Sequence, residues 1–156
     1  MKRDAPSVRP EPAAAHVLIV EGRFYQAIND ELARGAIAVI EAAGASYERV
    51  AVPGALEIPG AIAIADASMR FDAYVALGCV LRGETSHYET VANESARGIM
   101  ELTLQGLCVG NGILTCETEA QALARAKVAE GNKGGGAAEA ALALFRLVQD
   151  MVPAND

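Results

Sequence analysis

Residues 82–87, which read RGETSH, hold the densest set of reactive side chains in the sequence. Ser86 is followed three residues later by Glu89, and this capping-box spacing predicts that a helix begins at His87. Backbone N–H groups at the start of a helix attract anions, because they lie at the positive end of its dipole. An imidazole beside such a site can give and take protons. The segment indicates an anion site with an acid–base residue. The same sequence also fits an ordinary capped helix that carries a surface histidine.

Four other places carry side chains that suit a small-molecule site, and each also has an ordinary structural explanation. Phe24 can stack on a planar ring or pack in the core. Glu57 can accept a hydrogen bond from a ligand or stay solvated. Arg125, two turns after a second capping box that starts at Thr118, can clamp a phosphate or remain a solvated charge. Residues 131–136, GNKGGG, resemble a phosphate loop only loosely, because the spacing is wrong, and a flexible loop between helices is an equally good explanation.

The composition indicates a globular protein with one domain. The chain has 156 residues, of which 52% are hydrophobic and 21% charged, which suits a single core. The net charge of −7, without a basic patch, argues against a nucleic-acid partner. No apolar run is long enough for a membrane helix, and the first fifteen residues lack the apolar region of a secretory signal. Prolines there predict an extended arm over residues 1–15, before a single domain of residues 16–156.

The cysteines are predicted to be buried, reduced thiols. Cys79, Cys108 and Cys116 are odd in number, form no CxxC pair and lie in apolar stretches. This usage does not suit a metal site, and it is typical of a cytoplasmic protein.

Strand-like and helix-like patterns alternate four times after residue 15. Strands are predicted at residues 16–20, 47–52, 74–81 and 107–115, the last interrupted by Gly-Asn-Gly at 110–112. Helices are predicted at residues 24–43, 56–69, 87–104, 119–129 and 137–151, with a loop at 131–136. The alternation predicts a three-layer α/β/α sandwich with a four-stranded parallel sheet, flavodoxin-like. Ligands bind at the carboxyl ends of such strands, so the segments after them are the candidate site: residues 21–24, 53–57, 82–87 and 115–118.

Several motifs recur in a fixed order along the chain. They read VPGALEIP at residues 52–59, GCVLRGETSHYE at 78–89, GILT at 112–115, QALARA at 121–126 and GNKG at 131–134. In order and spacing, over about residues 16–150, they resemble the 6,7-dimethyl-8-ribityllumazine synthase family.

The resemblance implies a transferase of riboflavin biosynthesis. Such an enzyme joins 5-amino-6-(D-ribitylamino)uracil to 3,4-dihydroxy-2-butanone 4-phosphate, yields the lumazine, phosphate and water, and uses neither a metal nor an organic cofactor. The resemblance assigns proton transfer to His87 and stacking on the pyrimidine ring to Phe24. The other implied contacts are Ala55, Leu56 and Glu57 with the ribityl chain; Cys79, Val80 and Leu81 with the ring edge; Glu84, Thr85 and Arg125 with the phosphate; Lys133 near the site; and Asn111 from a neighbouring subunit.

Two positions depart from the family pattern. Asn111 stands where many members have a phenylalanine, and Tyr25 stands where the family often has asparagine. The family also implies a homo-oligomer, and a pentamer is expected here over an icosahedral 60-mer, because the turn at residues 127–130 is altered from that of shell-forming members. A non-catalytic flavin or lumazine carrier and a shell protein on the same fold remain alternatives. A carrier does not need Arg125 or His87, so turnover distinguishes it.

Overall fold

Residues 12–153 are described by the computed structural model of the chain. They form four strands and five α-helices, with a one-turn 3-10 helix at Ala55–Glu57. The elements in chain order are β1 (His16–Gly22), α1 (Gln26–Ala42), β2 (Ser46–Val52), α2 (Ile58–Ala67), β3 (Ala73–Leu81), α3 (His87–Leu104), β4 (Val109–Cys116), α4 (Glu119–Ala126) and α5 (Lys133–Met151).

The strands form one parallel sheet in the order β2-β1-β3-β4. Successive side chains point to opposite faces, so one strand serves two hydrophobic layers. In β1, Val17 and Ile19 are buried among residues of α1, α4 and α5. Leu18 and Val20 are buried against α2 and α3 on the other face. The predicted three-layer α/β/α sandwich is therefore confirmed.

The predicted break in the fourth strand is wrong. Strand β4 runs without interruption through the Gly-Asn-Gly segment and pairs with β3 along its length. Gly110 lies against helix α5, where a Cβ atom would overlap the carbonyl group of Ala137. The glycine therefore marks a close approach between helix and sheet, which resembles a turn signal when only the sequence is read.

The predicted loop at residues 131–136 is also wrong over most of its length. Helix α4 ends at Ala126, because Lys127 takes an extended conformation. Helix α5 already begins at Lys133, after Asn132 has adopted a left-handed backbone conformation with φ of 46°. Gly134 lies in its first turn, where a Cβ atom would collide with the backbone of Leu32 in α1. These glycines let α1 and α5 pack closely together.

The described end of the proposed N-terminal arm joins the domain. Ala13 and Ala15 are buried. The Ala13 N–H donates to the Ala43 carbonyl at 3.0 Å, and the Ser46 N–H donates to the Ala15 carbonyl at 3.0 Å. Residues 1–11 of the predicted arm lie outside the described residues. Between residues 12 and 153, no helix has the length and apolar character needed to cross a membrane.

We expect opposite effects from two glycine substitutions in α5. Gly134→Ala should lower the free energy of unfolding by about 1–3 kcal/mol, because the new methyl group must displace the backbone of α1. Gly136→Ala, where a Cβ atom meets nothing within 4 Å, should raise it by about 0.5–1 kcal/mol through helix propensity. Urea unfolding of both variants measures the difference. Equal destabilisation by the two would contradict this account of the packing.

Candidate active site

An open cavity of about 420 Å³ lies at the carboxyl ends of β1, β2 and β3, beside the start of α3. Its size is within the usual range for a small-molecule site. Nine residues expected in the site line it: Phe24, Ala55, Leu56, Glu57, Cys79, Val80, Leu81, Thr85 and His87. The segments after β1, β2 and β3 therefore meet at one cavity, as expected. The segment after β4 does not line it.

A buried carboxylate anchors the part of the site that follows β1. Glu21 is only 2% exposed. Its oxygens accept hydrogen bonds from Arg23 at 2.8 Å, from the Asn29 amide at 2.8 Å and from two nitrogens of Arg49 at 2.7 and 2.8 Å. The pKa of Arg49 is raised, chiefly by its hydrogen bond to Glu21. This charge-assisted cluster ties β1, β2 and α1 together next to the junction that carries Phe24.

Phe24 presents its ring to the cavity from the junction between β1 and α1. The side chain is 75% exposed, although it is a large hydrophobic group. Tyr25 meets it in an edge-to-face arrangement, with ring centroids 5.0 Å apart and planes at 76°. An aromatic face left open in this way is free to stack on a planar ligand.

The segment after β2 forms a tight turn that runs into α2. The Gly54 N–H donates to the Glu57 carboxylate at 3.1 Å, which closes a one-turn helix. A Cβ atom on Gly22 would come within 2.8 Å of Gly54, so glycine at the end of β1 permits this turn to lie beside it. Ala55 is buried under the cavity, whereas Leu56 and Glu57 are exposed. Their backbone and side chains are therefore accessible to a ligand.

The end of β3 forms the apolar floor of the cavity. Cys79 and Val80 are buried, and burial raises the pKa of the Cys79 thiol to about 12, with smaller contributions from Cys116 and Glu119. Burial also raises the pKa of Cys116. Since the thiolate is the nucleophilic form, this burial disfavours a nucleophilic role for Cys79. Within the described part of the chain, no cluster of three or more His, Cys, Asp or Glu side chains could hold a metal ion.

The loop between β3 and α3 differs in detail from the predicted capping box. Helix α3 begins at His87 as expected, but the Ser86 side chain makes no capping hydrogen bond. Instead, the Thr85 hydroxyl oxygen accepts the His87 N–H at 3.3 Å. Glu89 pairs with Arg82 at 3.3 Å and so does not close the box. The anion-attracting start of α3 and the imidazole nevertheless lie together at the cavity.

Arg82 holds this loop from outside the cavity. Its guanidinium pairs with Glu117 at the end of β4 at 2.9 Å, and lies 4.8 Å from the centre of the Tyr88 ring. The hydrogen bond to Glu117 is the main reason that the pKa of Arg82 is raised. One side chain thus connects the end of β3, the first turn of α3 and the end of β4.

Known proteins match this chain over nearly its whole length. The sequence model of the 6,7-dimethyl-8-ribityllumazine synthase family matches residues 14–149. The enzyme of that name from Sphingopyxis alaskensis is 64% identical over 133 residues, which are 85% of this chain and 94% of the relative. The one from Methylobacterium radiotolerans is 63% identical over 139 residues, 88% of this chain and 85% of the relative. The one from Azorhizobium caulinodans is 57% identical over 152 residues, 94% of both chains.

The chain belongs to the 6,7-dimethyl-8-ribityllumazine synthase family. It is thus an enzyme, a transferase of riboflavin biosynthesis that acts on small molecules, as the sequence resemblance implied.

Four residues that the resemblance to the lumazine synthases placed in the site do not line the cavity. Glu84 is an exposed loop residue between two that do. Asn111 lies in the middle of β4, where its side-chain oxygen accepts the N–H of Ile113 at 3.0 Å. Arg125 is exposed in α4 and donates to the Gln121 carbonyl at 3.1 Å. Lys133 is exposed at the start of α5.

Six lining residues were not singled out from the sequence: Tyr25, Pro53, Gly54, Gly83, Tyr88 and Val91. For most of them, a feature of the sequence could have predicted their place at the cavity. Pro53, Gly54 and Gly83 lie inside the strand-end segments already marked for inspection. Val91 follows His87 by one helical turn, so the two share a face of α3. Tyr25 and Tyr88 each follow a marked residue, and only the course of the backbone shows that they reach the cavity.

Proposed function

We propose that this lumazine synthase family member condenses 5-amino-6-(D-ribitylamino)uracil with 3,4-dihydroxy-2-butanone 4-phosphate to form 6,7-dimethyl-8-ribityllumazine, phosphate and water. The observation that best supports the proposal is that one cavity joins an open aromatic ring, an apolar floor and a helix start bearing an imidazole. The open aromatic ring and the apolar floor suit a planar pyrimidine, and the helix start suits a phosphate.

The ring substrate is proposed to bind between Phe24 and the end of β3. Phe24 stacks on the pyrimidine, while backbone groups of Cys79, Val80 and Leu81 hold its edge. The ribityl chain runs past Ala55, Leu56 and Glu57, which are the residues of the turn after β2. The exposed face of Phe24 and the burial of the β3 end support this placement.

The phosphate is proposed to bind at the start of α3. Glu84 and Thr85 contribute backbone N–H groups there, and the first turn of the helix adds its dipole. Arg125 and Lys133 supply positive charge, and Asn111 contacts the ring, all three from a neighbouring subunit. Their absence from the cavity of their own chain supports a shared site.

The proposed reaction needs proton transfers but no protein nucleophile. The amine of the aminouracil attacks the ketone carbon of the second substrate, and the resulting carbinolamine loses water to give an imine. Loss of a proton from the neighbouring carbon expels phosphate and leaves an enol, which tautomerises to a ketone, and the second amine condenses with this ketone to close the ring with loss of another water. His87 moves protons in these steps, and positioning two reactants supplies much of the acceleration, about 7–11 kcal/mol in favourable cases. The protonated thiol of Cys79 fits a site without covalent catalysis.

A homo-oligomer, most simply a pentamer, is the proposed assembly. Large apolar side chains are exposed on the outer faces of α2 and α3, among them Ile64, Met100 and Leu104. Burying such groups against another copy removes apolar surface from water. We also propose that the enzyme works in the cytoplasm, which the free thiols of all three cysteines support.

Turnover with both substrates tests the enzymatic proposal against the carrier and shell alternatives. His87→Ala should still form lumazine, but with kcat lowered by about 10²–10⁴-fold, because positioning survives the loss of proton transfer. The matched control is His16→Gln, which replaces the only other histidine of the chain, at the opposite end of β1. Lumazine formation by absorbance measures both. Undiminished kcat in His87→Ala would remove the histidine from this role, and a parent protein that binds lumazine without turnover would favour a carrier.

Arg125→Ala should raise the KM of the phosphorylated substrate far more than that of the aminouracil. Loss of a charge-assisted pair costs about 1.5–3 kcal/mol, which corresponds to roughly a 10- to 150-fold change. Arg34→Ala, an exposed arginine on α1, serves as the charge-matched control. Equal changes in both KM values would mean that Arg125 does not hold the phosphate.

Light scattering should give particles of about 80 kDa, the mass of five chains of 16.2 kDa each. The expected value should change little with buffer. Particles of about a megadalton would replace the pentamer by the icosahedral 60-mer and leave the enzymatic proposal intact. An active monomer would contradict the shared site.

A further inference from the structure

The ring of Phe24 is not held by the hydrophobic core. It is 75% exposed and belongs to neither cluster of buried residues. An exposed phenylalanine ordinarily samples several rotamers. When a ligand requires one of these rotamers, the side chain loses conformational entropy on binding, which weakens the affinity. The groups that restrain this ring are therefore important to how well it can bind.

Tyr25 lies between the exposed ring of Phe24 and the hydrophobic core, because it contacts both. The two rings meet edge to face, with centroids 5.0 Å apart and planes at 76°, which is a favourable aromatic geometry. Tyr25 is itself fixed, because it packs against the buried cluster below α1, α4 and α5. Burial raises the pKa of its phenol, with smaller contributions from Cys79 and Glu119, so the ring is neutral and wedged beside the end of β3.

Arg23 fixes the backbone on the other side of Phe24. Its N–H donates to the Val52 carbonyl at 3.1 Å. Its guanidinium bonds to Glu21 at 2.8 Å and to Asp30 at 2.5 Å. With the preceding residue anchored in this way, the remaining freedom of Phe24 lies mainly in its side-chain torsions, and Tyr25 is the aromatic group that limits them.

We propose that Tyr25 is a positioning residue whose ring holds the exposed Phe24 ring in the orientation that stacks on the pyrimidine of the aminouracil substrate. The proposal rests on the proposed function, in which Phe24 makes that stacking contact. Tyr25 acts by preorganisation: it lowers the conformational freedom that substrate binding would otherwise have to remove. Its effect should therefore fall on the ring substrate and require the presence of Phe24.

Four variants test this assignment: Tyr25→Leu, Tyr25→Phe, Phe24→Leu and the double variant Phe24→Leu/Tyr25→Leu. Tyr25→Leu should raise the KM of the aminouracil by about three- to tenfold, as expected from the strength of an aromatic pair, and leave that of the phosphorylated substrate unchanged. Tyr25→Phe keeps the ring, so it should restore the KM of the aminouracil to within about twofold of the parent value. In the Phe24→Leu background, Tyr25→Leu should add less than about twofold, because the ring that it orients is gone.

Tyr47→Leu is the control for lost packing. Tyr47 is another half-buried tyrosine that packs against the same cluster, but it lies in β2 and does not line the cavity. It should lower the thermal unfolding temperature without changing either KM.

Each other outcome has a distinct meaning. If Tyr25→Leu raises both KM values equally, or keeps its full effect in the Phe24→Leu background, Tyr25 acts through general packing and the positioning proposal is overturned. If Phe24→Leu raises the KM of the aminouracil while Tyr25→Leu does not, only the positioning proposal fails. If Phe24→Leu leaves that KM unchanged, the stacking role in the proposed function fails and the positioning proposal fails with it.

Discussion

A carboxylate that is removed from water must be paired, and the buried Glu21 meets this constraint by drawing donors from two strands and a helix. Arg23 follows β1, Asn29 lies in α1 and Arg49 lies in β2, and all three donate to the same two oxygens. Loss of these donors would leave the charge of the buried Glu21 without compensation, which is costly, so the arrangement resists local change. Because Arg23 directly precedes Phe24, and Arg49 lies in the strand that leads into the turn after β2, the cluster helps to fix these two parts of the cavity wall.

On the opposite wall of the cavity, a single charged side chain likewise connects several elements. The loop from β3 to α3 carries Thr85 and His87, yet Ser86 does not cap the helix. Arg82 restrains the loop instead: it forms ion pairs with Glu117 and Glu89 and lies over the ring of Tyr88. Each of these exposed contacts is individually weak because solvent screens it, but together they join three elements at one guanidinium. The loop is thereby held by a guanidinium outside the cavity, while the Thr85 hydroxyl accepts the His87 N–H at the start of α3.

The sequence was sufficient for the features that depend on local pattern. Alternating apolar runs predicted the parallel sheet and both helical layers, and the strand-end rule brought Phe24, Glu57 and His87 to one cavity. The sequence was misleading or uninformative where the role of a residue depends on a contact with another part of the fold. Gly110 and Gly134 were interpreted as chain breaks, whereas the structure places them where helices approach a neighbouring backbone closely. Tyr25 was noted only as a departure from a family pattern, because its contact with Phe24 depends on how the backbone turns after β1.

The charge around the cavity gives a physical reason for a shared site. Among its described lining residues there is no lysine or arginine. The guanidinium groups of Arg23 and Arg82, which adjoin lining residues in the sequence, are each already paired with two carboxylates. A phosphate at the start of α3 would therefore have only N–H dipoles and the His87 imidazole from its own chain, which is weak compensation for a dianion that loses water. Arg125 donates to the backbone carbonyl of Gln121 in its own helix, and among the described residues no ion pair joins it to a carboxylate. In the proposed assembly, a second copy would bring this arginine to the cavity and supply the missing cation, so the electrostatic requirement supports the proposal separately from the exposed apolar side chains.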